Sequence, residues 1–129
     1  MNMTNRRFKV LLVDDSEICR ETAKLMLDDY GFDVIALDSP LGFSVRMREH
    51  KPDVALIDVS MPALDGTHLV EIAHRHGNKK VCPIILFSGR SRRELDTLAR
   101  QCGADGVISK SDDWPTIARL LTEYLRRAR

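Results

Sequence analysis

The chain has 129 residues, of which 43% are hydrophobic and 30% are charged, and its formal net charge is +1. This length and balance are typical of one globular domain with its own core, and they argue against a disordered chain. We therefore predict a single domain over residues 1–129, with a flexible start at residues 1–7. The near-neutral charge gives no reason to expect direct nucleic-acid binding, and no apolar run is long enough to span a membrane. The three cysteines are scattered, which favours a cytoplasmic protein over a disulfide framework.

Short apolar runs alternate with helical patterns along the whole chain. The predicted strands are Phe8–Val13, Phe32–Leu37, Val54–Ile57, Val81–Phe87 and Gly106–Ser109. An amphipathic helix is predicted after each strand, and the third of these helices ends at Gly77. This alternation predicts parallel βαβ units with helices on both faces of the sheet. Right-handed crossovers favour an α/β, flavodoxin-like (βα)5 fold with a doubly wound five-stranded sheet in the order 2-1-3-4-5.

Several helix boundaries carry recognisable signals. Ser39-Pro40 is typical of an N-cap followed by the first helical residue, and it predicts a second helix to about His50. Ser91 and Glu94 fit a capping box, in which each side chain satisfies a backbone N–H at the helix start. Gly31 and Gly103 are predicted to end the first and fourth helices in the left-handed conformation. Asp112-Asp113 is predicted to begin the fifth helix.

Polar side chains follow four of the predicted strands. Asp14 and Asp15 follow the first strand, Asp58 the third, Ser88 ends the fourth and Lys110 follows the fifth. Because parallel strands end at the same edge of a sheet, we expect these residues to meet there. Three carboxylates in one crevice repel each other and need positive charge, which Lys110 and a hard cation such as Mg²⁺ can supply. A carboxylate beside a metal, an ammonium and a hydroxyl is equipped to accept a phosphoryl group.

On these residues the chain resembles the receiver domains of two-component response regulators, from Phe8 to about Arg127. Asp14-Asp15 is similar to the acidic pair of that family, and Ser88-Gly89 is similar to its switch hydroxyl and small neighbour. Lys110 is similar to its invariant lysine. The stretch Asp58-Val59-Ser60-Met61-Pro62-Ala63-Leu64-Asp65-Gly66 resembles the phosphoacceptor loop.

The resemblance implies a phosphorelay signalling role with Mg²⁺ as cofactor. Asp58 would accept a phosphoryl group from a histidine kinase or phosphotransfer protein. Asp15, Asp58 and the Ser60 carbonyl would bind Mg²⁺, and Asp14 would act mainly through the waters of that ion. The domain would be a phosphoacceptor with autophosphatase activity at most, and not a turnover enzyme on a separate substrate.

The resemblance also implies how phosphorylation is read. Lys110 would hold a phosphoryl oxygen, and Ser88 would move to hydrogen-bond the phosphoryl group. Output would pass to a protein partner through the face formed by the fourth and fifth predicted helices and the fifth strand. The domain would be a monomer or a phosphorylation-dependent dimer.

Two positions depart from the family pattern, and two others occupy sites that tend to govern water access in the family. Val107 stands where the family usually has an aromatic residue that rotates during switching. Valine is short and stiff at χ1, so we hypothesise signalling by displacement of the loop and helix after the fourth strand. Ser111 stands where the family usually has a cis-linked proline; a cis bond before serine costs about 2.5–4 kcal/mol, so we predict a trans bond. Ser60 and Arg90 occupy positions that tend to govern water access: the small Ser60 leaves room for water, whereas Arg90 could shield the phosphoryl group.

Three other functions compete with the phosphoacceptor hypothesis. A degenerate receiver that binds partners without phosphorylation is the main alternative, since Val107 and Ser111 depart from the family pattern. The stretch 64–67 superficially resembles the motif of haloacid-dehalogenase-like phosphatases, but Ala63 replaces their nucleophilic aspartate. A flavodoxin-like electron carrier shares the fold, but Asp14-Asp15 would repel a flavin phosphate.

Overall fold

The computed structural model describes residues 6–61, 67–70 and 82–127 of the chain. In chain order the elements are β1 (Phe8–Val13), α1 (Glu17–Asp28), β2 (Phe32–Leu37), α2 (Phe43–His50), β3 (Val54–Ile57), β4 (Ile84–Ser88), α3 (Arg92–Cys102), β5 (Gly106–Ser109) and α4 (Trp114–Arg127). Residues 67–70 are also helical. The predictions for residues 1–5, for the turn at 62–66, for the helix end at Gly77 and for the strand start at Val81 lie outside the described residues.

The strands form one five-stranded sheet in the order β2-β1-β3-β4-β5, and every neighbouring pair is parallel. The predicted fold class and strand order are therefore confirmed. β1 lies between β2 and β3 and pairs with both. Val10 of β1 is in register with Val34 of β2 and with Val54 of β3. All four residues of β3 are buried, as expected for a strand covered on both faces.

The core lies in two layers, one on each face of the sheet. Leu11 and Val13 of β1 pack on the layer covered by α2 and α3, while Val10 and Leu12 pack on the layer covered by α1 and α4. This separation follows from the period of two along a strand, which sends successive side chains to opposite faces. Every strand therefore reads as nearly continuous apolar sequence until it reaches the sheet edge.

The helix ends mostly follow their sequence signals. Ser91 accepts a hydrogen bond from the Glu94 N–H at 3.2 Å, which confirms it as the N-cap of α3. The Glu94 carboxylate accepts from the Ser91 hydroxyl at 3.1 Å, so this pair replaces the expected bond to a backbone N–H. Gly103 ends α3 in the left-handed conformation with φ 80°, as predicted. Within the described ranges, no helix is long and apolar enough to cross a membrane.

The predicted start of the second helix was wrong. α2 begins at Phe43, after Gly42 with φ 77°, and not at Pro40. The Ser39 hydroxyl instead accepts from the Leu41 N–H at 3.2 Å, which closes a local turn. A serine can serve either as an N-cap or in such a turn, and the two uses share one sequence signature.

Candidate functional site

The predicted site residues lie together at the carboxyl edge of the sheet. Asp14 directly follows β1, Asp58 follows β3, Lys110 follows β5, and Ser88 is the last residue of β4. Backbone hydrogen bonds extend the sheet to this point: the Asp58 N–H donates to the Val13 carbonyl at 2.9 Å, and the Lys110 N–H donates to the Ser88 carbonyl at 2.8 Å. The side chains therefore leave the sheet from neighbouring, firmly paired positions.

Three carboxylates form a cluster at this edge. Asp14, Asp15 and Asp58 each place an oxygen within 4.8 Å of the others. Asp14 is fully buried and Asp58 is 4% exposed, whereas Asp15 is exposed. Opposite ligands of one Mg²⁺ lie about 4.2 Å apart, so the hard oxygen donors here have nearly the spacing that the ion needs. The residues present fit a divalent cation of this kind.

Lys110 is held by Asp14 and lies beside Asp58. Its Nζ is 2.6 Å from Asp14 Oδ2 and 3.8 Å from Asp58 Oδ2. Burial lowers the pKa of Lys110, but the hydrogen bond to Asp14 and the charge of Asp58 outweigh that effect and leave the pKa raised. The side chain therefore carries its positive charge at neutral pH.

The surroundings of Asp58 disfavour its ionised form. Burial raises the pKa of Asp58, and the charges of Asp14 and Asp15 raise it further. Lys110 and the Ser60 N–H, which donates to Asp58 Oδ1 at 3.1 Å, lower the pKa but do not cancel the effect of burial. One oxygen of Asp58 is thus held by the backbone, and the other faces Lys110.

Comparisons with known proteins show the family of this chain. The family model described as "Response regulator receiver domain" matches residues 10–122. The chain belongs to this family. The transcriptional regulatory protein CseB of Streptomyces avermitilis is 33% identical over 118 residues, covering 92% of this chain and 49% of CseB. The transcriptional regulatory protein PdtaR of Mycobacterium tuberculosis is 30% identical over 121 residues, covering 90% of this chain and 58% of PdtaR.

The structural comparison gives the same result. The chemotaxis protein CheY4 of Vibrio cholerae superposes with a TM-score of 0.81 at 25% identity, covering 92% of this chain and 98% of CheY4. The chain therefore matches a compact receiver structure almost end to end. It spans only about half the length of the curated relatives, at 49% of CseB and 58% of PdtaR.

The two family departures have clear structural outcomes in this receiver domain. Val107 is 3% exposed and packs into the core layer under α2 and α3, so its side chain is not part of the acidic site. Its N–H donates to the Tyr124 hydroxyl of α4 at 3.3 Å. No peptide bond in the described residues is cis, so the bond between Lys110 and Ser111 is trans, as predicted. Lys110 reaches the acidic cluster all the same.

The other predicted site residues lie at or just beyond the carboxyl ends of β3 and β4. Ser88 is 1% exposed, and its Oγ accepts from the Arg90 N–H at 3.3 Å, which leaves its hydroxyl proton free for another acceptor. The Arg90 side chain is exposed and forms no ion pair within the described part of the chain. Ser60 is also exposed, with its N–H engaged by Asp58.

Several neighbours of the site carry no recognisable signal in the sequence. Cys19 Sγ lies 3.7 Å from Lys110 Nζ, and Arg20 donates to the Asp14 carbonyl at 2.9 Å. The Ser16 N–H donates to Asp14 Oδ1 at 2.9 Å. All three residues belong to the start of α1, and their contacts depend on how that helix is oriented over the sheet edge. A spacing of four residues after Asp15 could have singled out Cys19 only if that orientation were already known.

Proposed function

We propose that this receiver domain is the phosphoacceptor of a phosphorelay and that Asp58 takes the phosphoryl group. The observation that carries the proposal is that the buried carboxylate of Asp58 belongs to a cluster of three carboxylates and lies 3.8 Å from the ammonium of Lys110. A carboxylate that served only as a turn residue would not require two further carboxylates and a lysine beside it. We further propose that residues 1–129 act as one domain in the cytoplasm.

The transfer uses the Asp58 oxygen that the backbone does not hold. Asp58 Oδ1 accepts from the Ser60 N–H, and Oδ2 remains to attack phosphorus. A bond forms between Oδ2 and phosphorus while the bond from phosphorus to the donor atom breaks, and its electron pair leaves with the donor. With a histidine kinase or phosphotransfer protein, the donor atom is an imidazole nitrogen of a phosphohistidine. The product is an acyl phosphate on Asp58.

Positive charge makes this attack possible. Lys110 opposes the effect of burial on the pKa of Asp58 and so favours its ionised, nucleophilic form. From 3.8 Å, its ammonium is also placed to contact an oxygen of the incoming phosphoryl group. Asp15, Asp58 and the Ser60 carbonyl would hold Mg²⁺, with Asp14 acting mainly through the waters of the ion, and the ion would neutralise charge on the phosphoryl oxygens.

Readout begins at Ser88. Its hydroxyl proton is available to a phosphoryl oxygen on Asp58, and movement of Ser88 would alter its bond with the Arg90 N–H. Arg90 leads directly into α3, so the change passes to the face formed by α3, β5 and α4, where we place the downstream protein partner. Side-chain rotation at Val107 has no part in this route. The domain works as a monomer or as a phosphorylation-dependent dimer.

The test of the function is intact mass after incubation with Mg²⁺ and a small phosphodonor such as an acyl phosphate. We expect one added phosphoryl group on the wild type, none on Asp58→Asn, and none when a chelator is present. Asp38→Asn is the matched control, because Asp38 follows β2 as Asp58 follows β3 but is exposed. If no group is added even by a cognate kinase, the chain is a degenerate receiver.

The test of the readout is amide hydrogen exchange with and without beryllium fluoride, a mimic of the phosphoryl group. We expect exchange to change near Ser88 and over residues 90–94. Unchanged exchange there, with the mimic bound, would contradict the route through α3.

A further inference from the structure

The chain makes a tight turn where it leaves β5, and Lys110 lies inside that turn. The Asp112 N–H donates to the Ser109 carbonyl at 3.2 Å, so residues 109–112 close a β-turn with Lys110 as its first central residue. On the other side, the Lys110 N–H continues the sheet by donating to the Ser88 carbonyl at 2.8 Å. The direction in which the lysine side chain leaves is therefore set by this turn.

Ser109 also holds the turn with its side chain. Its Oγ accepts from the Ser111 N–H at 3.1 Å and lies 2.6 Å from Ser111 Oγ. Ser109 is the last residue of β5 and is only 6% exposed, so water competes weakly for these bonds. A serine that bonds the N–H two residues later imposes a local turn on the backbone.

The hydrogen bonds between Ser109 and Ser111 lie at the position where the receiver family usually has a proline. With Ser111 at that position and a trans bond before it, no ring fixes the backbone after Lys110. The lysine nevertheless reaches Asp14, with 2.6 Å between Nζ and Oδ2. The Ser109 hydroxyl is the side-chain contact that, together with the backbone bond from the Asp112 N–H to the Ser109 carbonyl, constrains the backbone around Lys110.

We infer that Ser109 is a positioning residue for phosphoryl transfer, because its hydroxyl fixes the turn that aims Lys110 at the acidic cluster. The inference rests on the proposed function. Ser109 itself touches neither Asp58 nor the phosphoryl group in this scheme. Its whole effect on the reaction passes through Lys110.

The experiment compares phosphorylation rates of variants of the 129-residue chain with a small acyl phosphate and saturating Mg²⁺, read by intact mass. Ser109→Ala removes the hydroxyl, and we expect the rate to fall about two- to tenfold, the range for losing one hydrogen bond. Ser109→Thr keeps a hydroxyl and should restore most of the rate. Ser39→Ala is the matched control, since the Ser39 hydroxyl closes the same kind of turn at 3.2 Å after β2. It should react at the wild-type rate.

A double-mutant cycle separates positioning from a general structural role. If Ser109 acts through Lys110, Ser109→Ala should not slow the reaction further in a Lys110→Met background. An equal slowing in both backgrounds would overturn the inference, as would a wild-type rate in Ser109→Ala. A wild type that accepts no phosphoryl group would instead contradict the proposed function, and with it any role of Ser109 in transfer. That outcome is visible before any variant is compared.

Discussion

Two buried carboxylates compete for one lysine at the edge of the sheet. Lys110 Nζ is 2.6 Å from Asp14 but 3.8 Å from Asp58, so the fully buried Asp14 has the direct bond. Asp58 has the longer and weaker interaction with the Lys110 ammonium, and its pKa is raised. The residue proposed to react is therefore the one whose charge is least well satisfied. Two predictions at the residue scale follow from this imbalance.

The first prediction concerns Asp58 and pH. Because the pKa of Asp58 is raised above 3.8 by burial, the folded protein binds this proton more tightly than the unfolded chain. Its contribution to the free energy of unfolding is greatest below the unfolded pKa and is lost as pH rises through the folded pKa. In chelator at pH 7, we expect Asp58→Asn to have a Tm a few degrees above wild type.

The difference in Tm should shrink as the pH is lowered and should vanish only well below 3.8, where wild-type Asp58 is protonated in both the folded and the unfolded state. Thermal unfolding followed by circular dichroism across this range makes the measurement. Asp38→Asn should track the wild type throughout. A gap between Asp58→Asn and wild type that is independent of pH would count against the explanation.

The second prediction concerns Lys110. Lys110→Met removes the positively charged partner of the buried Asp14, whose Oδ1 keeps only its bond from the Ser16 N–H, and we expect the free energy of unfolding in chelator to fall by about 1–3 kcal/mol. The same change removes a positive charge beside the carboxylates, so Mg²⁺ should bind more tightly. Urea unfolding and titration calorimetry measure the two effects. Lys24→Met on the exposed face of α1 should change neither, and weaker Mg²⁺ binding by Lys110→Met would refute the electrostatic account.

At the scale of elements, one contact at the start of α3 and one contact beside β5 contribute to the stability of the fold. Ser91 supplies the only side-chain cap of α3 that the described residues show, through its bond from the Glu94 N–H. β5 is packed so closely by α4 that a Cβ at Gly106 would overlap the Tyr124 hydroxyl and ring. Each contact leads to a stability prediction.

Ser91→Ala should lower the free energy of unfolding by about 1 kcal/mol, the usual effect of losing an N-cap hydroxyl. The midpoint of urea unfolding measures this loss. Ser44→Ala is a suitable control, because Ser44 lies inside α2, where alanine is the better helix former. Equal midpoints for the two variants would show that the cap contributes little.

Gly106→Ala should lower the free energy of unfolding by about 1–3 kcal/mol, because Tyr124 must move to make room. Its displacement also breaks the bond from the Val107 N–H. In a Tyr124→Ala background the same glycine substitution should have little further effect, which chemical denaturation of all four proteins can establish. Additive losses would mean that Gly106 matters for another reason.

The cap and strand signals show how much of the architecture can be predicted from the sequence. The strand order and the Ser91 cap follow from local patterns, because apolar runs and capping signatures act over a few residues. The start of α2 does not, because Ser39 can form either a cap or a turn. The bond between Lys110 and Asp14 joins residues 96 positions apart. Whether Lys110 bonds to Asp14 or to Asp58 depends on how α1 packs and on the turn after β5. No short sequence pattern encodes either of these.

At the scale of the whole molecule, cation binding at the acidic cluster would be coupled to folding. Asp14, Asp15 and Asp58 follow two strands that are neighbours in the sheet, so the cluster exists only when the sheet is formed. A cation that binds the folded chain alone must stabilise the entire domain.

We therefore expect Mg²⁺ to raise the free energy of unfolding by about 2.7 kcal/mol at a hundred times its Kd. Urea unfolding at increasing Mg²⁺ concentration measures the shift, and chelator should reverse it. Asp15→Asn should abolish most of the shift while barely changing metal-free stability, because Asp15 is exposed. An undiminished shift in that variant would place the cation elsewhere.

The contact between Tyr124 and β5 also bears on self-association. β5 lies at one edge of the sheet, where an outward N–H is a template for pairing with a strand from another molecule. The Val107 N–H is already bonded to the Tyr124 hydroxyl, and the tyrosine ring covers Gly106 beside it. An invading strand would have to displace a side chain anchored in α4. Pairing of a second copy's strand with β5 is therefore opposed at this point of the edge, because the backbone donor and the space beside it are already taken by Tyr124.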